Sequence, residues 1–350
     1  MLTVIITILS FLFLLSYFCF RLNKLEISKT IKYILSFLLA LPSLDVTSIL
    51  FIFELHFVVI SIIFELILWK IDKNRNSTNK VVYIMIPIPL ILSLSLMIYG
   101  SLNMNHIIRT EYNIQTNNEM LKDYRIAMIA DLHYPTSMDE KDLKEFVFRL
   151  KSENPDYVML CGDIIDEYST AEERNNVFET LGELSNISEV FYVFGNHDTG
   201  KYSFNNRIEK VSLKKIIEKN RIHVLEDEHI DLNDDLQLIG RKDFSLHNRK
   251  KVESLSVDSD KYSIVLDHQP KELNECANNG VDLHLSGHTH AGQIFPLYFI
   301  YEIFNINELN YGMKSIKQMN AVNTSGVSGW GFPIRTEHHS EYVIININSK

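Results

Sequence analysis

Apolar side chains run almost without interruption through the first hundred residues. They then give way to short apolar blocks separated by amphipathic stretches. Residues 1–20 (MLTVIITILSFLFLLSYFCF) carry no charge and match the roughly 20 apolar residues a helix needs to cross a bilayer. The basic start and small-residue cleavage site of a signal peptide are absent, and more apolar segments follow, so the pattern predicts a retained transmembrane helix. The apolar stretch from Ile31 to Trp69 is too long for one span and is broken at Pro42-Ser43-Leu44-Asp45. It predicts two helices, at about 30–43 and 47–69, and a further span follows at about 81–99. Residues 1–101 therefore read as an all-α transmembrane region of about four helices, multi-pass in the lipid bilayer of a cell membrane.

Past an Asn-rich linker at 102–119, the pattern changes to that of a globular domain over 120–350. RIAMIA (125–130), DYVML (156–160), VFYVF (190–194), YSIVL (262–266) and VDLHL (281–285) predict buried strands. Shorter strands are expected at about 222–225 and 236–240, and a last one at 341–348. Leu143, Phe146, Val147 and Leu150 recur at helical spacing over 139–153, as do Val177, Phe178, Leu181 and Leu184 over 170–186. Further helices are expected at 207–219 and 271–278. Alternating strands and helices predict an α/β layered fold. In such sheets ligands bind at the carboxyl ends of strands.

Charge sharpens the division. Residues 1–101 hold eight Lys and Arg against five Asp and Glu, and the rest of the chain carries a net charge of −13. An acidic domain without basic clusters argues against nucleic acid as a partner. The basic residues of the first part gather in two loops, Arg21, Lys24 and Lys29 in one and Lys70, Lys73, Arg75 and Lys80 in the other. With four spans both loops fall on one side, which the positive-inside rule makes cytoplasmic, so residues 102–350 are expected outside the cytoplasm. Glu54, His56 and Glu65 lie within the third span, and their simplest reading is burial against neighbouring helices. Cys19, Cys161 and Cys276 form no disulfide framework or metal motif.

Five predicted strands end in metal-binding side chains: Asp131-Leu132-His133, Gly162-Asp163, Gly195-Asn196-His197-Asp198, Asp267-His268 and Gly287-His288-Thr289-His290. Each cluster alone is weak, because a strand-end Asp is commonly a turn or cap residue. Five in one chain, each closing an apolar strand, form a consistent pattern. Asp-x-His in extended backbone turns both side chains to one side. One ion then takes both Asp131 and His133, while His288 and His290 reach one ion or two adjacent ions. Glycines before Asp163, Asn196 and His288 let the backbone turn sharply. Carboxylate and amide oxygens mixed with imidazoles suit Mn, Fe or Zn rather than Ca, with Mn favoured.

The ordered set DxH, GD, GNHD, H and GHTH resembles the calcineurin-like metallophosphoesterase superfamily. The strings NPDYVMLCGDIID, FYVFGNHD, SGHTHAGQ and SGVSGWGFPIR are similar to a bacterial membrane-anchored branch with N-terminal transmembrane helices. The resemblance covers about residues 125–345 and implies a β-sandwich flanked by helices (αββα). It implies that Asp131, His133 and His290 hold one divalent metal ion, that Asn196, His268 and His288 hold a second, and that Asp163 bridges them. It further implies that His197 faces the substrate phosphate with Asp198 orienting it. The implied activity is hydrolysis of a phosphate mono- or diester by a hydroxide bridging the two ions.

Gln293 and Arg335 have two readings each. Gln293 touches substrate or makes a structural hydrogen bond; Arg335 binds phosphate or pairs with Glu337 or Glu341. His338 and His339 are expected at the surface. Residues 294–311 (IFPLYFIYEIFNINELNY) are unusually aromatic. They either pack on the sheet or lie on the membrane. Tethering favours a lipid-linked or envelope-associated phosphate ester as substrate. The alternatives are a phosphatase of soluble nucleotides, a metal-binding sensor or receptor without turnover, and a transporter with an accessory domain. A sensor would be marked by a lost ligand or a lost His197, and neither is lost. The few buried charges of the spans make a poor translocation path.

Overall fold

The computed structural model describes residues 2–46, 48–71, 87–116, 122–200 and 209–349. It divides into two units, Met1–Gly100 and Ser101–Lys350.

The first unit is helical: α1 (Leu2–Leu22), α2 (Lys29–Ala40), α3 (Ile49–Ile71) and the greater part of α4 (Pro87–Asn105). Among the described residues three helices are long and apolar enough to cross a membrane, within α1, α3 and α4. The expected helix at 30–43 is the exception. It stops at Ala40 and tightens into a 3₁₀ turn over Leu41–Leu44, with Pro42 at its start. At 12 residues α2 is about 18 Å long, short of a bilayer core. Glu65 pairs with Arg21 at 2.8 Å and Lys24 at 3.4 Å, while Glu54 and His56 are buried. The last span, expected at 81–99, is described from Pro87 onward. It continues to Asn105, and residues 81–86 lie outside the described ones.

The second unit opens with β1 (Ile107–Thr116), so of the stretch expected as a linker at 102–119 the described part, to residue 116, is the end of a helix and a strand. Ile108, Thr110, Tyr112 and Ile114 alternate with Arg109, Glu111, Asn113 and Gln115, a period of two that marks a half-buried strand. Then come β2 (Tyr124–Ile129), α5 (Glu140–Ser152), β3 (Tyr157–Leu160), α6 (Ala171–Gly182), β4 (Glu189–Tyr192), α7 (Lys210–Lys219), β5 (Ile222–Val224), β6 (Glu228–Asp231), β7 (Leu236–Gly240), β8 (Tyr262–Leu266), α8 (Leu273–Asn278), β9 (Leu283–Ser286), α9 (Leu297–Phe304), β10 (Gly312–Ile316), β11 (Met319–Asn323) and β12 (Ser340–Ser349).

Two six-stranded sheets result, ordered β1-β12-β2-β3-β4-β5 and β10-β11-β9-β8-β7-β6. Side-chain alternation gives the inner strands two apolar faces. Ile126 and Met128 of β2 join Leu266 and Leu285 of the other sheet in the core between the sheets. Ala127 and Ile129 face the other way, onto Phe146, Leu150 and Phe178 of α5 and α6. Val265 of β8 likewise packs on Leu273 and Cys276 of α8. The domain is thus a helix–sheet–sheet–helix sandwich. Strands buried on both faces read as unbroken apolar runs, which is why they were legible in the sequence. β2, β3 and β4 are mutually parallel neighbours, as are β8 and β9, so the chain leaves each triplet or pair at one edge.

Candidate metal centre

Beyond the last ladder pairs the strand-end loops keep running side by side. Asp131, His133 and Tyr134 donate their backbone N–H groups to the carbonyls of Gly162, Asp163 and Ile164 at 3.0–3.1 Å. This brings the β2 and β3 loops together, and glycines let the neighbouring loops close in. A Cβ on Gly195 would lie 2.1 Å from Asp163 Oδ1, and one on Gly287 would lie 2.4 Å from Asp131 Oδ2. Neither position can carry a side chain without displacing a carboxylate.

The backbone carrying these residues is not the extended one expected from Asp-x-His spacing. Asp131, His133, Asp163, His288 and His290 have φ of 54°, 45°, 51°, 75° and 49°. β2 ends at Ile129 and β9 at Ser286, so these residues stand past the pleated region, where alternation no longer sets direction. Left-handed backbone at a non-glycine residue costs about 1–3 kcal/mol and persists where the surroundings impose it, commonly at functional sites.

All seven expected ligands converge in two overlapping groups. In one, His133 Nε2 stands 3.2 Å from His290 Nε2, and Asp131 Oδ1 lies 3.7 Å from His290 Nε2. In the other, His268 Nε2 stands 3.1 Å from Asn196 Oδ1 and 3.2 Å from His288 Nδ1. Asp163 Oδ2 joins them, 3.0 Å from His268 Nε2 and 3.9 Å from His133 Nε2. Asp131, His133, Asp163, Asn196 and His268 are buried, and His290 nearly so. Outward partners aim the imidazoles. His268 Nδ1 meets the Cys161 carbonyl at 2.9 Å and His290 Nδ1 the Ser328 carbonyl at 3.3 Å, leaving each Nε2 to face the centre.

The donor chemistry fits divalent cations. Burial pushes His133 and His288 down to about 3 and His290 well below the ordinary histidine range. These imidazoles are therefore neutral, the form that binds metal. Facing nitrogens at 3.2 Å repel unless a proton or a cation lies between them. Burial lifts Asp131 up to about 7, with Asp163 adding to the effect, so the pocket is short of positive charge. His268 answers part of that need: burial opposes its protonation, but the Asp163 carboxylate prevails and raises it well above its ordinary value. Binding of cations would release that proton.

The expected roles of Asp198 and Arg335 are corrected, and of the two readings of Gln293 the structural hydrogen bond is the one the geometry shows. Asp198 is engaged in holding backbone, accepting from Asp163 N and Gly195 N at Oδ2 and from Ile164 N and Ile165 N at Oδ1, all within 2.7–3.1 Å. The carboxylate that meets His197 Nδ1 belongs to Glu167. Arg335, fully buried, donates to the carbonyls of His290 (2.8 Å), Ser325 (2.9 Å) and Ser328 (2.6 Å) in place of an ion pair with Glu337 or Glu341. It fixes the backbone of His290. Gln293 uses its whole amide on the 330–334 loop, with Nε2 donating to the carbonyls of Trp330, Phe332 and Ile334 and Oε1 accepting from Trp330 N. Asp267, counted with the strand-end clusters, faces Arg249 at 2.5 Å. Burial opposes its ionisation, but Arg249 holds the carboxyl well below its usual range. His338 is wedged between the rings of Tyr298 and Tyr311, at 4.3 and 4.8 Å.

Two residues at the centre went unforeseen. Glu167 follows Asp163 by four positions in GDIIDE, and two adjacent acids in a strand-to-helix loop were the available signal. Trp330, in SGVSGWG, brings its ring to 5.6 Å from that of His197. Because Glu167 orients His197 without reaching the two ligand groups, Glu167→Gln is expected to lower turnover about 10–100-fold. Metal content, read by elemental analysis of the same preparation, should not change.

Carboxylates and imidazoles gathered at the strand ends of an αββα sandwich define a metal-dependent phosphoester hydrolase. The family model for calcineurin-like phosphoesterases matches residues 124–292. A metallophosphoesterase of Aquifex aeolicus is 30% identical over 238 residues, covering 65% of this chain and 86% of that protein. One of Campylobacter jejuni is 27% identical over 297 residues, 82% of this chain and 76% of that protein. The "transmembrane protein with metallophosphoesterase domain" of Danio rerio is 25% identical over 266 residues, 72% of this chain and 60% of its own length. The chain belongs to the calcineurin-like metallophosphoesterases, hydrolases of phosphoric esters that work with dinuclear divalent metal centres.

Proposed function

We propose that this chain is a multi-pass membrane enzyme that hydrolyses a phosphate mono- or diester presented at the cell envelope, its substrate lipid-linked or held close to the bilayer. The observation that carries the reading is the convergence of seven side chains from five strand ends into two groups sharing Asp163. Asp131, His133 and His290 would hold one ion, Asn196, His268 and His288 the other, and Asp163 both. Mixed imidazole, carboxylate and amide donors favour Mn, Fe or Zn, and Mn first. Two such ions would supply a nucleophile at neutral pH and positive charge for the phosphoryl oxygens.

The chain's own residues do the rest. His197 lies at the edge of the His133 ring, 4.8 Å between centroids, with Nδ1 turned to Glu167. Burial works against its charge, but Asp163 and Glu167 raise its pKa. A protonated His197 stabilises charge growing on the phosphoryl group and delivers a proton to the departing alkoxide. Asp198 and Arg335 keep the left-handed turns at Asp163 and His290 in place.

The orientation rests on the first unit. The Arg21–Glu65 pair, at 2.8 Å, joins the C-terminal ends of α1 and α3, so these helices run the same way. Loop 21–28 and the chain after Lys70 then share one side, and the basic residues in both favour the cytoplasm for it. α4 crosses back, which supports an extracytoplasmic phosphoesterase unit.

The test uses purified full-length protein stripped with a chelator and resupplied with Mn²⁺, Fe²⁺ or Zn²⁺. Chromogenic mono- and diesters are expected to be cleaved only after an ion is restored. Stoichiometric metal binding with no release of product under any ion would overturn the reading in favour of a sensor.

A further inference from the structure

The aromatic stretch after the GHTH motif, read as packing on the sheet or lying on the membrane, keeps an exposed face. It forms α9, LYFIYEIF, in which no residue is buried. Phe299, Ile303 and Phe304 are 63%, 55% and 70% exposed, and Ile306 just beyond is 48% exposed. Phe299 and Ile303 are four apart and share one face of the helix. A contiguous apolar patch of this kind on a folded domain marks an interaction surface. The helix is also firmly seated from behind. Tyr298 N donates to Glu337 Oε2 at 2.6 Å, Phe295 N donates to Thr336 Oγ1 at 2.9 Å, and the Tyr298 ring lies on His338. The patch is therefore held out rigidly and does not collapse inward.

What covers it is indicated by its neighbour in the fold. The segment that seats α9, residues 335–338, also receives the last turn of α4. Asn103 Nδ2 donates to the carbonyls of Arg335 at 3.1 Å and His338 at 2.5 Å. α4 is one of the helices apolar enough to span a membrane, and it ends at Asn105, with β1 starting at Ile107. One short segment thus holds both the apolar helix and Asn103, in the last turn of α4. Glu302, the one charged side chain of the helix, is exposed and its Oε1 accepts from Asn310 Nδ2 at 2.6 Å, while Tyr298 and Tyr301 flank the apolar patch, residues that favour the membrane–water interface. Trp330, 42% exposed, is bonded through its backbone to the amide of Gln293, just before the aromatic stretch, at 2.9 and 3.1 Å, and its ring stands 5.6 Å from that of His197.

We propose that α9 docks on the surface of the lipid bilayer and, through Trp330, sets the metal centre at headgroup level, where it meets phosphoesters still anchored in lipid. This deepens the phosphoesterase reading above and rests on it for the substrate, though not for the docking.

The docking is tested without reference to activity. Full-length protein carrying Cys19→Ala receives Phe299→Cys, Ile303→Cys or Phe304→Cys singly, is nitroxide-labelled, and is reconstituted into phosphatidylcholine–phosphatidylglycerol vesicles. Labels at all three sites are expected to collide preferentially with oxygen over a water-soluble nickel chelate, as a label on α1 at Leu12→Cys does. A label at Phe148→Cys, 74% exposed on α5, should show the reverse. Nickel-favoured collisions at 304, or shielding from both reagents as a protein contact would give, overturn the docking. The triple variant Phe299→Ser, Ile303→Ser, Phe304→Ser is expected to cleave a water-soluble aryl phosphoester at the unaltered rate. It should cleave a vesicle-borne phospholipid ester about tenfold more slowly, a loss smaller than burial of one Phe provides. Equal rates for variant and parent on both substrates overturn the headgroup placement, whereas failure of the parent on every ester counts against the phosphoesterase reading alone.

Discussion

Replacing Asp163 with Ala is expected to remove metal and to lower turnover at least about 10³-fold, since metal ions contribute several kcal/mol of transition-state stabilisation and each 1.36 kcal/mol is a factor of ten. Asp163 Oδ2 is the atom within 3.9 Å of His133 Nε2 and 3.0 Å of His268 Nε2, one residue of each ligand group. Its other oxygen accepts His197 N at 2.8 Å, so the carboxylate also fixes the loop that carries Asn196 and His197. Truncation removes charge and leaves a buried N–H without its acceptor, and the second effect alone costs about 1–3 kcal/mol of stability. Asp163→Asn separates the two, because an amide oxygen still accepts His197 N while the charge is gone. The Asn variant is expected to melt close to the parent, to lose metal by elemental analysis, and to share the Ala variant's loss of turnover on a chromogenic diester. An Asn variant with full metal content and parental rate would show that Asp163 does not bridge the two groups.

The parts legible in the sequence were those that obey a periodic rule. β8 lies where YSIVL placed it, and the face of α5 built on Leu143, Phe146, Val147 and Leu150 is buried as its spacing required. Both depend on burial over several consecutive turns or pleats, which leaves a repeating signature. The convergence of Asp131, Asp163, Asn196, His268, His288 and His290 was also foreseeable, because each closes a parallel strand and the carboxyl ends of those strands share an edge. β1 was missed although its alternation is plain, because the polar half of that pattern, rich in Asn and Gln, resembles a linker when read as composition. α9 was missed for the opposite reason: its apolar residues face outward, so no amphipathic contrast with a packed core exists. The partners of His197, Arg335 and Gln293 had no periodic signal at all. They are set by loops meeting across the top of two sheets, where Glu167 instead of Asp198 reaches the imidazole and the guanidinium of Arg335 turns to carbonyls. Residue type pointed correctly to polar work at these positions, but only three-dimensional closure decides which polar group each one meets.

His197→Ala is expected to retain both ions and to lose about 10²–10⁴-fold in turnover, the usual contribution of a positioned proton donor. The residue is 5% exposed and its ring is bracketed by those of His133 and Trp330. Nδ1 is turned to Glu167, and the raised pKa favours the protonated ring. If this proton goes to the departing oxygen, the defect depends on how much that oxygen needs it. An alkyl phosphoester, whose alkoxide is a poor leaving group, should show the whole loss, while a nitrophenyl ester, whose phenolate departs unprotonated, should show only the part due to lost electrostatic stabilisation. Measuring both esters with the Ala variant, and elemental analysis of the same sample, distinguishes three roles. A larger loss on the alkyl ester with full metal content is the expected pattern and marks a proton donor. Equal losses with full metal content would reduce His197 to charge stabilisation. Loss of metal would make it a ligand, and would require the Glu167 contact to yield on metal binding.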